Sequence, residues 1–200
     1  GISNGMFFFQ KILKSLGFQS EIYVENIKDN LKHIVKSYKS FDLEDEEQII
    51  FIHYSIYYDF EPWVDKIKAK KHIIYHNITP PEFFKNNPYL YEMCKKGIEL
   101  LPQIASKFEG SIGDSKLNSD ELEAHNFKNV YTIPLLVDVQ KVRSFSFNHK
   151  LFDELNDDFN IIFVGRVARN KAQHDLIKIA NIYKFIDPNF KMYIIGGSTD

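Results

Sequence analysis

A chain of 200 residues with 44% hydrophobic side chains can bury the core of one domain, or of one and a part. Its net charge of −2 speaks against a dedicated nucleic-acid binder, which would be basic. Its single cysteine, Cys94, excludes an intrachain disulfide and fits a reducing compartment. No apolar run approaches the length of a membrane span, and Met6-Phe-Phe-Phe9 is too short for a signal-peptide core and has no basic stretch before it.

The first predicted element is an amphipathic helix. Met6, Phe9, Leu13 and Leu16 form its apolar stripe, Ser3 or Asn4 is its expected N-cap, and Gly17 is its stop. Gln19 to Val24 reads as a strand. Asn26 or Asp29 would cap a helix carrying Leu31, Ile34, Val35 and Tyr38, followed by an acidic loop from Asp42 to Gln48. Ile49 to Ser55 is an apolar run without alternation, as expected of a parallel strand covered on both faces. A short helix near Pro62 to Lys70 and a strand His72 to His76 follow. A longer helical region spans Glu82 to Phe108, with Pro88 and Pro102 as expected kinks or breaks. A short strand within Glu109 to Ser115, a small helix capped by Ser119 and a strand Val130 to Ile133 complete this half. Residues 137–158 show no clean period and read as a connection. Ile161 to Val164 then reads as a fully buried strand broken by Gly165, and Leu176, Ile179, Ala180 and Tyr183 mark a helix after it. Strands alternating with helices predict doubly wound parallel sheets.

Such sheets bind ligands at the carboxyl ends of their strands. Four groups are expected there: Ser3-Asn4-Gly5 at the opening of the first helix, His53 with Ser55, His76 with Asn77, and Asp114 with Ser115. His76 is the sharpest, because an imidazole titrates near neutrality and can donate or accept at a strand tip, although a histidine satisfied by backbone groups is the commoner case. In the second half, Arg166 and Lys171 flank the turn between the strand and a helix N-terminus, where unpaired N–H groups favour an anion. Arg166 would grip a phosphate bidentately and Lys171 would act as a point charge. Solvated charges on an ordinary strand-to-helix turn fit those residue types equally well. Neither G-x-G-x-x-G nor G-x-x-x-x-G-K-[ST] is present, and no metal-ligand spacing such as H-E-x-x-H occurs.

Phe163-Val-Gly-Arg166 followed by Asn170-Lys171 resembles the start of the donor-binding domain of retaining GT-B glycosyltransferases of family 4. Tyr75-His-Asn-Ile-Thr-Pro-Pro-Glu82, Gly1-Ile-Ser-Asn-Gly5, His53-Tyr-Ser55, Asp114-Ser115 and Leu135-Leu-Val-Asp138 resemble further segments of bacterial members, in the same order. The resemblance implies a Rossmann-like N-terminal acceptor domain over residues 1–136, a connection over 137–158 and the start of a nucleotide-sugar-binding domain over 159–200. It further implies a longer parent protein. The first strand would lie before Gly1 and the family's paired glutamates beyond Asp200, so residues 1–200 alone would be inactive.

In that reading Ser3, Asn4 and Gly5 lie under the acceptor and the donor phosphate. His76 hydrogen-bonds the transferred sugar. Gly165, Arg166 and Lys171 hold the departing diphosphate, and Gly197 starts a loop near the nucleotide. His53, Ser55, Asn77, Asp114 and Ser115 line the cleft. The implied reaction moves a sugar from a nucleoside-diphosphate-sugar to a glycan or lipid-linked acceptor, with neither cofactor nor metal and no nucleic acid. The enzyme would be cytoplasmic, reaching the inner face of the membrane where its acceptor is lipid-linked. The contrasting expectations are a catalytically silent nucleotide- or sugar-binding module of the same fold, and a nicotinamide oxidoreductase, which the absent glycine fingerprint disfavours.

Overall fold

The computed structural model describes residues 2–59, 61–156 and 159–197. The chain divides into two compact units, Gly1–Val139 and Gln140–Asp200.

The first unit opens with α1 (Ile2–Ser15), a two-stranded parallel pair β1 (Tyr23–Val24) and β2 (Lys36–Ser37), then β3 (Ile49–Tyr54). It continues through α2 (Glu61–Val64), β4 (Lys70–Tyr75), α3 (Pro88–Ile104), β5 (Gly110–Gly113), α4 (Lys116–Ala124) and β6 (Val130–Thr132). Strands β3, β4, β5 and β6 form one all-parallel sheet in that order. This is a parallel α/β architecture, compatible with a Rossmann-like fold. Consecutive order with right-handed crossovers sends every connection over the same face of the sheet. Accordingly Ile52, Tyr54, Ile73 and Tyr75 pack with Val64 of α2, Leu100, Leu101 and Ile104 of α3, and Leu122 of α4 in one core. The strand-order reversal that defines a doubly wound sheet is not among the described strands.

The alternation of β3 and β4 turns Phe51, His53, His72 and Ile74 to the opposite face. There Phe9 of α1 meets Phe51 edge-on, with ring centroids 5.1 Å apart, and Phe51 stacks on His72 at 5.4 Å. This face is less deeply covered: Phe51 and His53 are half-buried, whereas Tyr54 and Ile73 are wholly inaccessible.

Several local expectations are corrected. Helix α1 already includes Ser3 and Asn4, so neither is a cap and residues 3–5 are not a loop. Packing of the Met6–Leu13 side overrides the weak helix propensity of Ser, Asn and Gly. Gly17 does end the segment, at φ 89°. The expected helix over Leu31 to Tyr38 is absent. Two 3-10 turns, Asp29–Leu31 and Tyr38–Ser40, bracket β2, because Lys36 N–H donates to the Ile22 carbonyl (2.8 Å) and pairs the segment with β1. Pro88 occupies the first turn of α3 instead of kinking it, after Asn87, whose side chain accepts from Leu90 N–H. Helix α4 begins earlier than expected: Ser115 is the cap, and Ser119 lies buried inside the helix, its hydroxyl 2.8 Å from Thr132 Oγ1.

The second unit holds α6 (His149–Asn156), preceded by α5 (Val139–Arg143), which crosses the boundary between the units; both occupy the stretch read as a connection without elements. It continues as a β-α-β arrangement of β7 (Asn160–Val164), a 3-10 turn at Arg169–Lys171, α7 (Gln173–Tyr183) and β8 (Lys191–Ile195). Strands β7 and β8 pair in parallel from Asn160↔Lys191 to Val164↔Ile195. Strand β7 is not fully buried. Ile161 and Phe163 are half-covered, whereas Ile162 and Val164 are exposed. Gly165 and Gly196 cross beside each other. A Cβ on Gly196 would overlap the Gly165 carbonyl, so this position requires glycine.

Candidate functional site

Parallel register decides which strand-end groups meet. His53 pairs with Ile74 and Tyr75 with Gly113, so His53, His76 and Asp114 emerge on one face at three adjacent strand ends. The pairing continues past the strands: His76 N–H donates to the Tyr54 carbonyl (2.9 Å), and Asp114 N–H to the Tyr75 carbonyl (3.3 Å).

Their side chains form a continuous chain of hydrogen bonds. His53 Nδ1 lies 2.7 Å from His76 Nε2, with the rings within 7° of parallel. His76 Nδ1 lies 3.1 Å from Asp114 Oδ2. The other carboxylate oxygen, Oδ1, accepts from Asn118 Nδ2 on α4. The His76 side chain is 3% exposed and that of Asp114 14%. Both ring nitrogens of His76 are therefore engaged inside the protein. A direct hydrogen bond from His76 to a ligand, as the resemblance implies, finds no free ring nitrogen in this arrangement.

The proton positions follow from valence. With Asp114 ionised it can only accept, so His76 carries its proton on Nδ1. With both imidazoles neutral, His76 Nε2 is then a lone pair, and His53 must donate through Nδ1–H. The outer nitrogen, His53 Nε2, is left as a bare acceptor. Burial, and after it the neighbouring His76, pulls the His53 pKa down from its ordinary value to about 4, which keeps this ring neutral at physiological pH.

The site is braced from below. Asn118 is 3% exposed, and it also reaches the Tyr75 carbonyl at 3.5 Å. Ser115 caps α4 by accepting from Asn118 N–H at 3.2 Å, so its hydroxyl has a structural task. Tyr75 sends its hydroxyl to Glu121 Oε2 at 2.9 Å, and burial and that carboxylate push the phenol's pKa upward, keeping it a donor. Gly113 lets α4 approach, since a Cβ there would stand 2.5 Å from Ser119 N. Sequence reasoning missed Asn118. Its signal is the spacing Asp114-Ser115-x-x-Asn118, which places a second polar side chain one helical turn beyond the carboxylate.

The other expected site residues do not join this relay. Among the described residues Ser55 and Asn77 make no side-chain hydrogen bond, and Asn77 sits at φ 65°, a left-handed conformation that asparagine tolerates at the strand exit. Ser3 and Asn4 are exposed on α1, and Gly5 is buried near Leu135 and Leu136. On the second unit, Arg166 and Lys171 are both exposed, without a side-chain hydrogen bond or ion pair among the described residues. The Arg166 carbonyl accepts from Gln173 Nε2 at 2.8 Å, tying the turn to α7. Ala172, at φ 51°, leaves the N-terminus of α7 without a side-chain cap. Asp175 stands in its first turn and pairs with Lys178 at 2.9 Å. Space is open around Gly197.

Among the described residues, no group of three or more His, Cys, Asp or Glu is placed to hold a metal ion, and no helix is long and apolar enough to cross a membrane. No family model matches the chain, and no curated protein matches it.

Proposed function

We propose that this protein is a retaining glycosyltransferase, moving a sugar from a nucleoside-diphosphate-sugar to an acceptor hydroxyl in polysaccharide or glycoconjugate synthesis. The observation that carries the reading is the relay His53–His76–Asp114 at the carboxyl ends of three parallel strands, where α/β sheets bind their ligands. A neutral imidazole held in one tautomer suits hydroxyl recognition. The open cations Arg166 and Lys171 beside the uncapped N-terminus of α7 suit a departing diphosphate, because cations and helix N–H groups both favour negative charge there. The donor is a substrate, and the chemistry asks for no cofactor. The enzyme would work in the cytoplasm, and at the inner face of the membrane where its acceptor is lipid-linked.

One observation favours a second reading, a silent module that binds nucleotide or sugar without turnover. Asp175 brings a carboxylate into the first turn of α7, where it competes with a phosphate for the same partial positive charge.

Thermal unfolding of the full-length protein with UDP, GDP, ADP and NAD tests the proposal. A ligand that binds only the native state adds about 2.7 kcal/mol at a hundredfold excess over its dissociation constant. The expected result is stabilisation by one nucleoside diphosphate, together with turnover of the corresponding nucleotide-sugar. Stabilisation without turnover supports the silent module. A response to NAD alone overturns both.

A further inference from the structure

We propose that His53, through its Nε2, is the residue that contacts the sugar, and that His76 and Asp114 act behind it by fixing its tautomer. The assignment rests on the sugar-transfer reading for the class of ligand, but its geometry stands by itself. Of the four imidazole nitrogens in the relay, three have partners. His53 Nδ1 and His76 Nε2 bond each other, and His76 Nδ1 bonds Asp114. Among the described residues His53 Nε2 has no hydrogen-bond partner, and it is not among the fully buried polar atoms left unsatisfied, so it is not wholly enclosed. His53 is half-buried, whereas the His76 side chain is almost fully enclosed.

With the protons ordered from Asp114 outward, Nε2 of His53 presents a lone pair. A lone pair accepts from a sugar hydroxyl and gives nothing to a phosphate oxygen, which is itself an acceptor. The atom thus selects an uncharged, hydroxyl-bearing group and leaves the diphosphate to other residues. Asp114 sets this polarity because Asn118 holds the opposite edge of the same carboxylate. In Asp114→Asn, the Asn118 donor keeps the amide oxygen on its own side, so the NH2 group faces His76 Nδ1. His76 must then accept at Nδ1 and donate from Nε2. His53 in turn accepts at Nδ1 and carries its proton on Nε2. One substitution two residues away in the relay converts the outer atom from acceptor to donor.

Nitrogen-15 spectra of the histidine-labelled protein at neutral pH read these states directly. The wild type is expected to show His53 and His76 both protonated at Nδ1, and Asp114→Asn to show both protonated at Nε2. A folded Asp114→Asn protein with unchanged tautomers overturns the positioning role, and a wild-type His53 protonated at Nε2 overturns the whole assignment. Methyl α-glycosides of glucose, mannose and galactose are then added as probes. One of them should move the His53 Nε2 resonance while leaving His76 Nδ1 in place, and His53→Phe should weaken that probe about three- to tenfold, the worth of one neutral hydrogen bond. A response at His76 alone, or at neither ring with all three probes, overturns the proposal. Stabilisation by a nucleoside diphosphate in a protein whose His53 ignores all three sugars leaves the transferase reading standing and removes only this assignment.

Discussion

The His53 imidazole stores a stability difference that pH can release. Its pKa falls from 6.5 in the unfolded chain to about 4 in the fold, chiefly through burial. Between those values the unfolded chain binds the proton that the folded one refuses. Stability contributed by neutral His53 is therefore complete above about pH 6.5 and is lost progressively as pH falls toward 4. The full loss is on the order of 3 kcal/mol. Denaturant titrations from neutral pH down to 4 should show a shallower decline for His53→Phe than for the wild type. Parallel curves would mean that the ring is solvated enough to charge freely.

At the level of elements, the site depends on where α4 starts. Ser115 ends the strand-to-helix turn after Asp114, and its hydroxyl takes the Asn118 N–H, which seats the Asn118 side chain against the carboxylate. Ser115→Ala should cost about 1 kcal/mol through the lost cap. Chemical denaturation measures that cost; an unchanged midpoint would show that water replaces the hydroxyl without penalty. The sequence signals for this region were uneven. Strands β3 and β4 are legible from their apolar runs, Ile49–Ile52 and Ile73–Tyr75, and β5 as a short strand within Glu109 to Ser115, and their ends place His53, His76 and Asp114 at one edge. The hydrogen bond between the two histidines was not legible, since it depends on the register Tyr54↔Tyr75, which local composition does not encode. Ser119 has the look of a cap because it begins an acidic helical stretch, yet tertiary packing against Thr132 holds it inside the helix. Leu31 to Tyr38 has helical spacing, but pairing of Lys36 and Ser37 with β1 wins over it.

At the scale of the whole molecule, the residues proposed for the two halves of the donor belong to different compact units. The histidine relay lies in Gly1–Val139, and Arg166 and Lys171 lie in Gln140–Asp200. Each group is held by its own sheet, so the two recognition tasks should be separable by mutation. Arg166→Ala and Lys171→Ala remove exposed side chains that make no ion pair or hydrogen bond among the described residues, and the unfolding temperature should hardly change. Turnover of the nucleotide-sugar should instead fall by about two to three orders of magnitude, the usual effect of removing one donor to a developing anion. Affinity for the nucleoside diphosphate should fall with it and lose part of its salt dependence. His53→Phe should do the reverse: it should keep nucleoside diphosphate binding and lose discrimination between sugars. Kinetics of the three variants over a nucleotide-sugar panel, with binding of the bare nucleoside diphosphate measured alongside, resolve these patterns. Full turnover in both cation variants would remove the phosphate role of the β7–α7 turn, because an anion leaving next to an uncapped helix would then need nothing from Arg166 or Lys171.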